Sequence, residues 1–156
     1  MSWSDRKTQI YADLVARATD EQLARLMRGP LRRPLLRQIF LTMSRRVDPR
    51  RAAGVRAVLE FRISGAGTSD RYQVAVASAR ARVRRDGVLV PDVAITIEPV
   101  AFLRLTAGST GWLDLWLRGR LRIDGSKLLA VRFPGIFRIP RAAEPRAAEP
   151  RTDPRP

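Results

Sequence analysis

Near the start of the chain, apolar residues recur at the spacing of amphipathic helices. A first helix has Thr19 as its N-cap, Gln22 as the partner in a capping box and Gly29 as its stop. A second helix runs from Pro34, which suits a first turn, to Val47. Its apolar side consists of Leu35, Leu36, Ile39, Phe40, Met43 and Val47. We expect this side to pack on the protein, although a basic amphipathic helix can also lie on an anionic membrane.

The middle of the chain changes to the two-residue alternation of half-buried β-strands. Residues 57–64, 71–78, 79–87 and 93–97 each place apolar side chains at every second position. Turn-forming residues separate the first three strands, so we expect these strands to pair as an antiparallel meander. The apolar positions are Leu59, Phe61, Ile63, Tyr72, Val74, Val76, Ala79, Ala81, Val83, Val93, Ile95 and Ile97.

The period then becomes helical again for about twenty residues. Pro99 suits the first turn of a helix that runs to Gly108, and residues 109–119 predict a second helix with Thr110 as its candidate cap. The second helix is apolar nearly all round, and only Asp114 and Arg118 are polar. Such a helix has to be covered on more than one side, by other helices, by a partner chain or by a bound apolar ligand.

The last predicted elements are a fifth strand and a short helix. Residues 120–124 alternate, with Leu121 and Ile123 pointing inward. The final helix is capped by Ser126 and ends at Pro134. This order of elements predicts an α+β fold with one five-stranded sheet and helices covering one face.

The amino-acid composition excludes several kinds of catalytic and metal-binding site. With 156 residues the chain suits one compact domain, and it has no cysteine and no histidine. Disulfides, thiolate nucleophiles and imidazole-based catalytic sites are therefore excluded, and we expect no metal site and no cofactor. Asp114, between two tryptophans, is a weak candidate for acid or base work, with an exposed helix residue as the alternative. Catalysis is therefore left open and is not predicted.

The charge predicts anionic partners. The chain has 30 Lys and Arg against 15 acids, a net charge of +15, although a GC-rich coding sequence also produces an arginine excess. We do not expect nucleic-acid binding, because the strand arginines Arg80, Arg82, Arg84 and Arg85 have no interleaved exposed aromatics. No apolar run approaches the roughly 18 residues of a membrane span, so we expect a cytoplasmic protein, peripheral at the membrane.

Three stretches resemble the sterol carrier protein 2 lipid-binding domain in their order and spacing. They are "AGVRAVLEFRISG", "DVAITIEPVAFLRLTAG" and "LRGRLRIDGSKLLAVRFPGIF". The most specific motif is a strand between two glycines, Gly119 and Gly125, before the last helix. The resemblance covers roughly Glu21 to Phe137 and lacks the peroxisomal Ser-Lys-Leu type of ending, which indicates a bacterial stand-alone type.

The resemblance implies a five-stranded, mostly antiparallel sheet whose helices enclose an apolar tunnel. The tunnel would hold a fatty acyl chain, an acyl-CoA ester, a sterol or a similar lipid, for binding and delivery. The alternative is an accessory or tailoring protein that presents or modifies a quinone or polyketide intermediate. The chain then divides into a basic helical segment packed on the domain (1–50), the lipid-binding domain (51–140) and a disordered tail rich in Pro, Arg and Ala (141–156).

The resemblance also assigns residues. The tunnel would be lined by Phe102, Leu105, Trp112, Leu115, Trp116, Leu128, Leu129, Val131 and Phe133. The positive charge of the chain, and not the resemblance, gives the candidates for docking to an anionic membrane: Arg33, Arg37, Arg45, Arg46, Arg50 and Arg51. The protein would be a monomer or a homodimer.

Overall fold

One mixed sheet forms the centre of the molecule. The computed structural model of the protein describes residues 3–65 and 67–137. Its strands are β1 (Ala57–Gly65), β2 (Thr68–Ala77), β3 (Arg80–Arg85), β4 (Val93–Ile97) and β5 (Leu121–Gly125). They lie in the order β3-β2-β1-β4-β5, and β1 pairs with β4 in parallel. The other neighbours are antiparallel, so the predicted meander of β1, β2 and β3 is confirmed.

Seven helices accompany the sheet within the described residues. They are α1 (Trp3–Arg17), α2 (Asp20–Arg28), α3 (Arg32–Arg45), α4 (Pro49–Ala52), α5 (Pro99–Thr106), α6 (Trp112–Leu117) and α7 (Lys127–Ile136). The predicted capping box is present at the start of α2, where the backbone N–H of Gln22 donates to Thr19 Oγ1 at 3.2 Å. The α+β class with five mostly antiparallel strands is confirmed. The predicted tail, residues 141–156, lies outside the described residues.

Three predictions about helices were incomplete or wrong. Helix α1 was not predicted, because its apolar stripe is narrow: Tyr11 and Val15 pack on the core, whereas Ile10 and Leu14 are exposed. Thr110 does not cap α6, which begins after Gly111 without a side-chain cap. Pro134 does not end α7, because the helix continues to Ile136 with the proline inside it.

Aromatic packing joins the helices to one face of the sheet. The ring of Phe40 in α3 stacks on Tyr72 of β2 with centroids 4.3 Å apart. The same ring lies 5.4 Å from Phe61 of β1 and 5.4 Å from Phe102 of α5. The inward positions predicted for β1 and β2 are buried, as the alternation required. Burying large aromatic rings supplies much of the energy of a core of this size.

The other face of the sheet also buries a charged group, which alternation alone does not predict. Glu60 of β1 is buried and accepts a hydrogen bond from Gln73 Nε2 at 3.0 Å. The amide of Gln73 also bonds both backbone groups of Leu89, at 2.7 and 3.1 Å, and so holds the loop after β3 across this face. Burial alone would raise the pKa of Glu60, but hydrogen bonds from Gln73, Arg62 and Arg71 lower it below its ordinary value.

Candidate functional site

A cavity of about 820 Å³, here called the main cavity, lies between the sheet and the helices that follow β4. Its sheet wall includes Phe61, Ile95 and Leu121, from β1, β4 and β5. Its other walls come from the end of α5, from α6 and α7, and from the segment between α4 and β1. The volume falls within the range of about 300 to 1,000 Å³ that is typical of small-molecule sites.

Four of the nine residues predicted to line a lipid tunnel lie in this wall: Leu105, Trp112, Val131 and Phe133. Phe102 and Leu115 are buried in the core and lie outside the wall. Leu129 is half-buried and packs against the core. Trp116 and Leu128 are exposed to solvent. The structure therefore brings about half of the predicted set together around one cavity.

The sheet wall was missing from the predicted set. The alternation places Phe61, Ile95 and Leu121 on the inward face of their strands, but the resemblance assigns only helical residues to the tunnel lining. In the parallel register of β1 and β4, Phe61 lies directly beside Ile95. The signal that could have found these residues is the alternation itself, since the side chains that face the helical layer also face any cavity within it.

Two arginines give the cavity a cationic border. Arg51 and Arg132 both contribute to its lining. Arg51 crosses α7 at Gly135, where a Cβ built on the glycine would lie 2.6 Å from Arg51 Nη1. The absence of a side chain at Gly135 therefore lets the guanidinium lie against the helix. A guanidinium at the rim of an apolar cavity favours a carboxylate or phosphate there.

Helix α6 is less covered than its composition led us to expect. Trp112 is half-buried in the cavity wall, and its ring lies 6.4 Å from that of Trp116. Leu113, Trp116 and Leu117 are nevertheless exposed, and within the described residues no helix covers them. Of the three covers predicted for α6, other helices are therefore wrong for its outer face, and a partner chain or a bound ligand stays a prediction.

Asp114, the candidate carboxyl, lies on the exposed side of α6. Its carboxylate pairs with Arg118 Nε at 3.2 Å and receives a long hydrogen bond of 3.5 Å from Thr110 Oγ1. It is not among the residues that line the main cavity. The burial that would tune such a group for acid or base work is absent at this position.

A second, smaller cavity of about 310 Å³ lies between α1 and α3. The hydroxyl of Tyr11 is 2.9 Å from Thr106 Oγ1 and donates to the carbonyl of Leu103 at 3.3 Å. Burial raises the pKa of Tyr11 to about 12, and the hydrogen bond with Thr106 partly opposes this. Lys7 and Arg46 also line this cavity, which is separate from the predicted tunnel.

The arginines predicted to dock on a membrane lie on α3, at its C-cap and on α4. Five are exposed, and Arg46 is half-buried with its Nη2 donating to Thr8 Oγ1 at 2.7 Å. Arg51 is the member of the set that also lines the main cavity. The exposed ones are Arg33, Arg37, Arg45, Arg50 and Arg51.

Two kinds of feature are absent from the described residues. In residues 3–65 and 67–137 no helix combines the length and the apolar character that a bilayer crossing demands. The same ranges contain no group of three or more acidic side chains arranged to hold a metal ion.

Comparison with known proteins identifies the family of this chain. The model of the SCP-2 sterol transfer family matches residues 36–138, about two thirds of the chain. No curated protein matches the chain. The matched segment begins within α3, so α1 and α2 precede it.

Solved structures share the fold at low sequence identity. The palmitated SCP2L2 of Aedes aegypti has a TM-score of 0.52 at 21% identity, over 67% of this chain and 95% of that chain. Sterol Carrier Protein 2 from Yarrowia lipolytica, in its apo form, has a TM-score of 0.51 at 18% identity, over 60% of this chain and 75% of that one. The inverting sec-alkylsulfatase Pisa1 from Pseudomonas sp. has a TM-score of 0.55 at 14% identity, over 62% of this chain. This chain spans only 15% of the alkylsulfatase.

Proposed function

This chain belongs to the SCP-2 sterol transfer family, and from that premise we propose that it binds a single hydrophobic lipid in the main cavity and delivers it to a membrane or to another protein. The ligand is a fatty acyl chain, an acyl-CoA ester, a sterol or a molecule of similar shape. The observation that carries the proposal is the largely apolar cavity of about 820 Å³ between the sheet and helices α5 to α7.

The energetics of such a cavity suit a transfer protein. Burying each methylene group contributes about 0.8 kcal/mol, so a chain of a dozen carbons gains roughly 10 kcal/mol before costs. Association and ordering cost at least about 4 kcal/mol, which leaves an affinity near the micromolar range or weaker. Binding of this strength holds the ligand in water and still releases it to a membrane.

The polar end of the ligand would lie at the cationic border. Arg51 and Arg132 are both in the lining, and both can pair with a carboxylate or a phosphate. The preferred ligand is therefore an acidic lipid or a CoA ester, with its chain along Phe61 and Phe133.

We also propose that the exposed arginines of α3 and α4 draw the protein to anionic membranes. They are Arg33, Arg37, Arg45, Arg50 and Arg51; Arg46, the sixth residue of the predicted set, is half-buried beside them. Each basic residue near an anionic surface contributes about 1 kcal/mol, and salt screens this attraction within about 10 Å. Binding to anionic vesicles should therefore exceed binding to neutral vesicles at low salt. Equal binding to both would refute the role of these arginines.

The ligand proposal is tested by blocking the cavity. Val131→Trp adds bulk at an exposed position of the cavity wall, and Leu128→Trp adds the same bulk on α7 outside the wall. Saturable binding of a fluorescent fatty acid should weaken at least about tenfold in the first variant and stay unchanged in the second. Mass spectrometry of lipid extracted from the purified wild type identifies the natural ligand. Absence of both a co-purifying lipid and saturable fatty-acid binding would overturn the proposed function.

A further inference from the structure

Helices α6 and α7 expose a group of large apolar side chains beside the main cavity. Leu117 is 74% exposed and Leu128 is 65% exposed, values high for leucines within helices of a folded domain. Single exposed apolar residues are ordinary, whereas a group of them next to a cavity marks an interaction surface. The group, here called the mouth face, consists of Leu113, Trp116, Leu117, Leu128 and Val131.

The mouth face is continuous with the opening of the cavity. Leu113 and Leu117 are four residues apart, so they lie on one stripe of α6. Leu128 and Val131 are three residues apart, so they lie on one stripe of α7. Leu113 and Val131 also line the main cavity, which brings the two stripes together at its opening.

Cationic residues flank this surface. Arg118 follows α6, Lys127 begins α7 and Arg132 lies within α7, and all three are exposed. Residues 111–137 contain five Lys and Arg against two acids. A second copy of this chain would carry the same excess of positive charge on its own residues 111–137, so the two surfaces would repel each other. An anionic bilayer instead offers hydrocarbon and negative headgroups together, which matches leucine, tryptophan and flanking cations.

We propose that the mouth face inserts into the headgroup region of an anionic bilayer, and that ligand passes there between bilayer and cavity. This inference rests on the proposed lipid-binding function and adds the surface through which exchange takes place. The arginines of α3 and α4 attract the protein at long range, while the mouth face makes the apolar contact. Leu113 and Val131 then border both the bilayer and the ligand.

The first test separates insertion from ligand binding. The double variant Leu117→Ser, Leu128→Ser removes apolar side chains that do not line the main cavity. Sedimentation with vesicles of equal parts phosphatidylglycerol and phosphatidylcholine should show a partition coefficient at least about tenfold lower than that of the wild type. Its binding of a fluorescent fatty acid in solution should be unchanged. Because both positions are exposed, its urea unfolding midpoint should match the wild type.

A matched control lies on α1. Ile10 and Leu14 are also exposed, at 52% and 64%, and lie away from the mouth face. The double variant Ile10→Ser, Leu14→Ser should therefore partition onto the same vesicles as the wild type does. Weaker partition of the α1 variant together with normal partition of the α6–α7 variant would overturn the proposal and move the contact to α1.

The second test locates Trp116 in the bilayer. In the variant Trp3→Phe, Trp112→Phe, Trp116 is the sole tryptophan. Vesicles that contain phospholipid brominated in the acyl chain should quench its fluorescence, and unbrominated vesicles should shift its emission to the blue. Vesicle-bound protein with unquenched Trp116 would refute insertion. If the wild type binds fatty acid in that case, the proposed function stands while the docking surface falls; a wild type that binds no fatty acid would overturn both.

Discussion

Arg104 provides a test of how α1 and α2, which precede the family match, are fastened to the rest of the protein. From α5 its guanidinium donates to the carbonyls of Val15 and Ala18 at 3.2 and 3.0 Å. It also donates twice to Asp20 Oδ1, at 2.9 and 2.7 Å. The two carbonyls belong to the end of α1, where the last groups of a helix lack intrahelical donors. One side chain therefore joins three helices.

The loss of folding free energy on removing the Arg104 guanidinium can be estimated from these contacts. Hydrogen bonds that involve a charged group contribute about 1.5 to 3 kcal/mol each, and the two carbonyls account for most of the effect. The pair with Asp20 adds less than about 1 kcal/mol, because the Asp20 side chain is 67% exposed. Arg104→Met retains the apolar stem and should lower the free energy of unfolding by about 3 kcal/mol. Asp20→Asn should lower it by less than about 1 kcal/mol.

Urea unfolding followed by circular dichroism measures the free energy of unfolding of both variants. Arg104→Lys is the control, because lysine keeps the positive charge but lacks the planar guanidinium group with its several N–H donors. Arg104→Lys should fall between the wild type and Arg104→Met. Hydrogen exchange should show faster opening of α1 in Arg104→Met, while the strands stay protected. The reasoning is refuted if Asp20→Asn costs as much as Arg104→Met, since the exposed ion pair would then be the source of the stability.

Two further predictions concern the sheet. Because the pKa of Glu60 lies below its ordinary value, its carboxylate stabilises the fold above the unfolded-state pKa, and this contribution disappears as the pH falls through the folded-state pKa. Glu60→Gln should therefore flatten the decline of unfolding free energy in acid titrations, and an unchanged slope would contradict this. Gly125→Ala should cost more than about 2 kcal/mol in thermal unfolding, because φ is +99° and the added Cβ would lie 2.5 Å from the backbone oxygen of Asp92. Gly119→Ala, with φ of +70° but no atom within 4 Å, should cost only about 1 kcal/mol, and equal costs would show that contact with Asp92 does not matter.

The strands were predictable because alternation is local, whereas the sheet order was not. Nothing in the apolar pattern of residues 57–64 or 93–97 indicates that they lie side by side in parallel. That pairing depends on contacts between segments far apart in sequence, as does the burial of Glu60 beneath the loop held by Gln73. Periodicity also missed α1, which is anchored through Tyr11 and Arg104 and lacks a broad apolar stripe.

The candidate site was predictable in part for a similar reason. The resemblance assigned only helical residues, and of these Leu105, Trp112, Val131 and Phe133 reach the cavity. Apolar character alone cannot distinguish these residues from Trp116, which is exposed on the same short helix. The distinction depends on how α6 is rotated about its axis against the sheet. A helix of six residues is too short for its own sequence to determine that rotation.

Pro134, in the last turn of α7, interrupts the backbone hydrogen bonding of the helix beside the main cavity. A proline has no N–H, so the carbonyl of Ala130, four residues earlier, lacks the donor that an uninterrupted helix would supply. Ala130 and Pro134 both line the main cavity. A helix that lacks such a hydrogen bond bends more easily at the proline than a continuous helix does. The stretch of α7 that borders the cavity is therefore the part of that helix held by the fewest backbone hydrogen bonds.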